Sequence, residues 1–258
     1  MNPSGLQLRK ISDFGTSEPW FARTQFTFLD LLKFVRSVTT DGSKQLVGAD
    51  IMKATKAREE EAAGLIFALA EDLGQAFIEL RRIRQPDDTM ATELAQSKAY
   101  RDMYGHLWAA YKTRFQKLMG VLGYNIGFIF DRDSKFETIA TAFLAQHPSI
   151  DPSLIDRLRT DRAGWHKALA DYRNDGEHNI TAPLFNGHPM HDQRSAEVIF
   201  SNVWHGIEDI FIACMVEEFG KQLTVFEIPK ADRDPHCPRK YVVGISHDPK
   251  TGEIISRP

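Results

Sequence analysis

From Thr55 to Ile83 the chain places Leu65, Leu69, Leu73, Phe77 and Leu80 on one stripe at helical spacing. The run opens in acid at Glu59, Glu60 and Glu61 and closes in base at Arg81, Arg82 and Arg84, the polarity that a helix dipole favours at each end. Pro86 follows as a stop. A stripe this long must be buried against other helices, which commits the fold to a helical bundle.

The rest of the chain agrees with that commitment. Trp20 to Val38 carries Phe21, Phe28, Leu31, Leu32 and Val35 at similar spacing, and Asp41-Gly42-Ser43 breaks it. Met90 to about Met119 predicts a third long helix bearing Tyr104, Leu107, Trp108, Tyr111, Phe115 and Leu118. Gly120, Gly123 and Gly127 then predict a bend or a close helix contact. A short helix is expected over Ser134–Gln146. After the Asp151-Pro152 cap another carries Leu154, Leu158, Trp165, Leu169 and Tyr172. A loop from Ile180 to Asp192 leads to a last helix, Ser195–Phe219. Beyond Gly220, Leu223–Phe226 and Tyr241–Ser246 read as strands, the latter forming a hairpin with Glu253-Ile254-Ile255 across Asp248–Gly252. The expected architecture is mainly α, a bundle over residues 1–220 with a small C-terminal β-hairpin appendage over 221–258.

Composition narrows the functions available. A hydrophobic fraction of 42% and a charged fraction of 26% over 258 residues exclude disordered and collagen-like chains. The net charge of −3 supplies no global field for polyanions, so any nucleic-acid site must be local. Cys214 and Cys237 are the only cysteines, too few for a disulfide framework, and point to a reducing compartment. The apolar run Ala62–Ala70 is about half the ~20 residues that span a bilayer, and Met1–Lys10 lacks the apolar core of a signal peptide. A cytoplasmic protein with no membrane partner is expected.

One constellation stands out. Within Trp165–His178, Arg173-Asn174-Asp175-Gly176-Glu177-His178 forms an Arg-Asn-x-x-x-His pattern near the end of a bundle helix and ahead of the last one. Arg-x4-His by itself is weak, because chance supplies about 0.6 such pairs here, but requiring Asn after Arg lowers that to roughly 0.01–0.02. A second copy, Arg101 to His106, has Asp in place of Asn. With Tyr172 set to zero on the core stripe, Arg173 falls near ~100°, Glu177 near ~140°, Asn174 near ~200° and His178 near ~240°. All four project outward, and His166 and Lys167 fall in the same arc. An outward cluster is half a site, and a second subunit would close it. The spacing also suits a plainer reading, with Arg173 and Glu177 as an exposed helix ion pair and His178 as a C-terminal capping residue.

In this motif and its all-helical setting from roughly Phe21 to Phe219, the chain resembles the HEPN superfamily of higher eukaryote and prokaryote nucleotide-binding domains. The resemblance does not reach the β tail. It implies a homodimeric helical bundle, many members of which cleave RNA without a metal. It further implies His178 as the base for the ribose 2′-OH, Arg173 as the stabiliser of phosphate charge and Asn174 as the residue that orients the histidine or binds a phosphate oxygen. Arg162, His166 and Glu177 would lie around the substrate. No cofactor is implied, and a toxin or phage-defence role with an antitoxin partner fits the family. The same face admits a non-catalytic module that binds nucleotide, RNA or protein.

Other groups carry less. His188-Pro189-Met190-His191-Asp192 offers two imidazoles and a carboxylate but not a convergent ligand set, and reads as a solvated loop that borders the cleft at most. His236-Cys237-Pro238 with His247 is a poor zinc set, and Cys214 reads as core. No Glu-x-x-His, P-loop, Gly-x-Gly-x-x-Gly or Gly-x-Ser-x-Gly occurs. Arg157, Arg159 and Arg162, and Arg81, Arg82 and Arg84, form basic runs of the kind that usually belong to a solvated face.

Overall fold

A computed structural model describes residues 49–86, 92–131, 133–176, 184–219, 223–232 and 240–245. The segment expected as a helix over Trp20–Val38 lies outside them. Helix α1 spans Ala49–Arg84, and its stripe of Leu65, Leu69, Leu73, Phe77 and Leu80 is buried as the spacing predicts. It packs along α2 (Glu93–Trp108) and the π-helical segment Ala109–Phe115 that continues it into α3 (Gln116–Leu122). The Thr92 side chain caps α2 by accepting from the Ala95 N–H at 3.2 Å.

The glycine cluster ends this rod. Gly123 sits at φ 102° as the left-handed cap of α3, and a 3₁₀ turn follows at Gly127–Phe130. Helix α4 covers Asp133–Gln146 and α5 covers Ser153–Asp161. A second π-helical segment, Arg162–His166, kinks at Gly164 and leads into α6, Lys167–Gly176. The Asp151 carboxylate caps the start of α5 by accepting from the Ser153 N–H at 2.8 Å.

Within the expected loop, Leu184–Phe185 (β1) and His188–Pro189 (β2) pair antiparallel around Asn186-Gly187, both at positive φ. This is the Asn-Gly hairpin turn that two consecutive left-handed residues allow. Helix α7, Gln193–Phe219, runs through the middle of the bundle, burying Ile199, Phe200, Val203, Ile207, Ile210 and Cys214. Gly206 lets it approach the second π segment closely, since a Cβ there would stand 3.3 Å from the Trp165 ring. The stretch Gln193–Glu217 is long and apolar enough to cross a membrane by composition, but 67% of that window is buried inside the bundle. Burial against neighbouring helices explains its apolarity.

Strands β3 (Leu223–Glu227) and β4 (Tyr241–Ile245) pair antiparallel, with Leu223 opposite Ile245 and Glu227 opposite Tyr241. Tyr241–Ile245 therefore pairs with the earlier strand. Its expected partner, Glu253–Ile255, lies outside the described residues. The ribbon is tied to the bundle through charge: Asp209 on α7 takes Lys240 Nζ at 2.8 Å, the Tyr241 hydroxyl at 2.6 Å and Arg157 at 2.8 Å. Glu208 accepts from the Lys240 backbone N–H at 2.6 Å. The protein is a mainly α helical bundle with a small β appendage.

Candidate nucleic-acid interface

The two π-helical segments meet through aromatic side chains, and Trp108, whose ring joins that cluster, also lines a surface groove. Tyr111 from the first meets Trp165 from the second at 5.4 Å between ring centroids, and Phe130 closes the cluster at 5.1 Å from Tyr111. The groove is an open depression of about 610 Å³, lined by Trp108, Lys112, Thr113, Gln116, Lys117, Gly120, Asn125 and Arg173. π-Helical turns recur at functional sites because the extra residue pushes side chains out of the regular register. Here the first segment delivers Lys112 and Thr113 to the groove.

Among the described residues of the lining the charged side chains are Lys112, Lys117 and Arg173, all cations, set beside the amides of Gln116 and Asn125. Lys112 holds its ammonium 5.0 Å from the Trp108 ring centroid, a cation–π placement that keeps its stem against that ring. Lys117 shares its charge with Glu61 at 3.1 Å, both side chains being largely in water, where such a pair is weak and yields readily to another anion. On a chain of net charge −3 this is a local cationic patch.

The motif residues divide. Tyr172 is buried while Arg173 and Asn174 are exposed, the arrangement the helical wheel predicts for this stretch. Arg173 lines the groove; Asn174 does not. Glu177 and His178 lie outside the described residues.

The expectation for His166 is corrected. Instead of facing outward it is 7% exposed, among the rings of Trp108, Tyr111, Phe130 and Trp165. The wheel assumes about 100° per residue, whereas His166 ends a π-helical segment kinked at Gly164, where that increment does not hold. Burial, reinforced by the nearby cations of Arg162 and Lys112, pushes its pKa down to about 4. At pH 7 it is a neutral ring stacked on Trp108, a wall of the groove.

Arg162 is also occupied within the fold. Its guanidinium donates to the backbone carbonyls of Phe128 at 3.2 Å, of Ile129, and of Asp131 at 2.6 Å, closing the 3₁₀ turn, and it lies over the Phe136 ring. The other basic runs are likewise engaged: Arg82 with Glu79, Arg84 with Glu197, Arg157 with Asp209, and Arg159 with Glu137 and Asp156. Lys167 pairs with Asp171.

In the second Arg-x4-His copy the two residues turn to different partners. Arg101 lies 3.5 Å from Asp102, while His106 Nδ1 is 3.3 Å from Asp72, which also accepts from Arg114 at 3.1 Å. His191 Nε2 meets the Tyr172 hydroxyl at 2.7 Å with Tyr100 stacked on its ring, so it braces the hairpin loop. His188 is exposed. Among the described residues no three His, Cys, Asp or Glu side chains converge as metal ligands. Cys214 is buried and reduced, whereas His236, Cys237 and His247 lie outside the described residues.

Lys112, Thr113, Gln116, Lys117 and Asn125 are the site residues that sequence reasoning missed. They come from a π segment, a short helix and a loop, and only Trp108 with Lys112, one turn apart, leaves a local trace. Comparison of the chain with family models, curated proteins and solved structures finds no match in any of the three.

Proposed function

We propose that this protein binds RNA through the groove that Arg173 enters, and cleaves it as a HEPN-like, metal-independent endoribonuclease. The observation that carries the reading is the position of Arg173: the motif arginine stands with Lys112 and Lys117 in a groove lined by cations and amides. Three cations suit successive phosphates, and the adjoining polar groups suit a sugar or a base.

In this reading RNA brings its own nucleophile. His178 takes the proton of the ribose 2′-OH, and the oxygen attacks the adjacent phosphorus. Arg173 stabilises the charge on the pentacoordinate phosphate, with Asn174 as an orienting group. The P–O5′ bond breaks, leaving a 2′,3′-cyclic phosphate and a 5′-hydroxyl protonated from solvent. A homodimer that apposes two such faces would wall the groove from water.

The test is RNA cleavage in EDTA. Cyclic-phosphate ends that appear with the wild type and vanish with His178→Ala, while helical content is unchanged, support the nuclease. Cleavage that survives that substitution, or that needs Mg²⁺, overturns it. A second reading, RNA binding without cleavage, is favoured by one observation: no imidazole or carboxylate stands among the described groove residues, and His166 beside Trp108 is buried and neutral. Affinity that depends on Arg173 without any cyclic-phosphate product selects it.

A further inference from the structure

Helix α1 supplies the core from one side and leaves apolar bulk in water on the other. Phe67 is 47% exposed and Ile78 39% exposed. Eleven residues apart, they point within about 20° of each other and lie about 16 Å apart along the axis. Gly74 falls between them on the same line and Gly64 continues it, with nothing within 4 Å of where a Cβ at Gly64 would stand. A lone exposed apolar residue needs no explanation, but two in line with a notch between them offer the ridge and hollow on which another helix packs.

The sequence carries a matching stripe. Phe21, Phe28, Leu31, Leu32 and Val35 recur at helical spacing within Trp20–Val38, and a helix of that length is marginal in water until its apolar face is buried. The charges of that segment are Arg23, Lys33 and Arg36 against Asp30, whereas Glu60 and Glu71, both exposed, flank the α1 line. The connection also reaches. An antiparallel helix with Phe28 over Gly74 sets Val35 level with Phe67, Ile78 between the levels of Phe21 and Phe28, and Val38 level with Gly64. From Ala49 to that level is about 22 Å along α1, or about 25 Å with the ~10 Å between packed helix axes. The ten residues 39–48 extend to about 33 Å.

We propose that residues 20–38 dock as a helix, antiparallel to α1, on the outer face formed by Phe67, Gly74 and Ile78. A second copy of the chain on this face would leave the stripe from Phe21 to Val35 to be buried elsewhere. The tethered segment buries both surfaces at once, and its short linker holds it at an effective concentration in the millimolar range.

Hydrogen exchange of the full chain, read by mass spectrometry, tests this. Amides of residues 20–38 should exchange at least about tenfold more slowly than in a free peptide of the same sequence, because a helix this short is protected when docked. Phe67→Gln combined with Ile78→Gln alters positions already exposed and keeps a good helix former at each. It should return residues 20–38 to the free rate while α2 and α7 keep theirs. Phe28→Gln, which leaves α1 untouched, should release the segment in the same way. Sedimentation should give the same mass for the wild type and the variants. Unprotected amides in the wild type, or protection that survives these substitutions, overturns the docking. A mass that falls in the Phe67/Ile78 variant places a second copy on this face and overturns it as well.

Discussion

His166 stacks on Trp108, with ring centroids 5.7 Å apart and planes 23° from parallel, and its Nε2 is buried without a hydrogen-bond partner among the described residues. Trp108 is also a wall of the groove, so this imidazole belongs to the foundation of the site and not to its surface. Charging it would place a cation among four aromatic rings beside Arg162 and Lys112, which is why its pKa is pushed down to about 4.

That depression makes stability depend on pH. The folded state resists a proton that the unfolded chain accepts near 6.5, so the contribution is complete above that pH and is lost as pH falls toward 4. By pH 5 the loss should amount to about 2 kcal/mol. Urea unfolding at pH 7.5 and at pH 5 measures it. His166→Phe should flatten the pH dependence between those values, and an unchanged slope would show that another group causes it.

Arg162 opens the second π-helical segment and Arg173 lies in the helix that follows it, and the two should respond differently to truncation. Arg173 is exposed in the groove, so Arg173→Ala should cost at most about 1 kcal/mol of stability, as exposed polar contacts do, weaken RNA binding and lower the salt slope of log K by about one. Arg162→Ala withdraws the guanidinium donor from three backbone carbonyls, of which Phe128 O keeps the Asp131 N–H, and should cost about 1.5–3 kcal/mol of stability with little effect on affinity per folded molecule. Fluorescence anisotropy with a labelled RNA across a salt series, run beside thermal melts, tests both. A large affinity loss in Arg162→Ala at full folding would restore it as a phosphate contact.

The contrast between these arginines also marks how far the sequence could be read. The long stripe of α1 and the outward position of Arg173 follow from a period of 3.6 residues, and both lie in regular α-helix. The same arithmetic fails for His166 because a π turn widens the helix without any residue type that announces it. Asn186-Gly187 did carry a legible signal, a hairpin turn inside what reads as a loop. Lys112, Gln116, Lys117 and Asn125 were not legible as a site. What joins them to Arg173 is the packing of α6 against α2, with Tyr104 on Tyr172, and the ring contacts between the two π segments, long-range contacts that local periodicity does not encode.

The β appendage should be released through Asp209. This carboxylate is 7% exposed and takes Arg157, Lys240 and the Tyr241 hydroxyl together, while Glu208 beside it fixes the Lys240 backbone. Asp209→Ala leaves two cations facing each other, one of them largely buried, without the anion between them. Because Arg157 can still reach water, the cost should fall below that of a fully buried pair, at about 2–3 kcal/mol. The loss should be local first: amide hydrogen exchange in Leu223–Glu227 and Tyr241–Ile245 should accelerate well before that of α1 or α7. Lys240→Met, which removes one cation and keeps the stem, should soften the strands less than Asp209→Ala. Strands that stay protected in Asp209→Ala would mean that backbone pairing and apolar contact, not this charge cluster, hold the ribbon to the bundle.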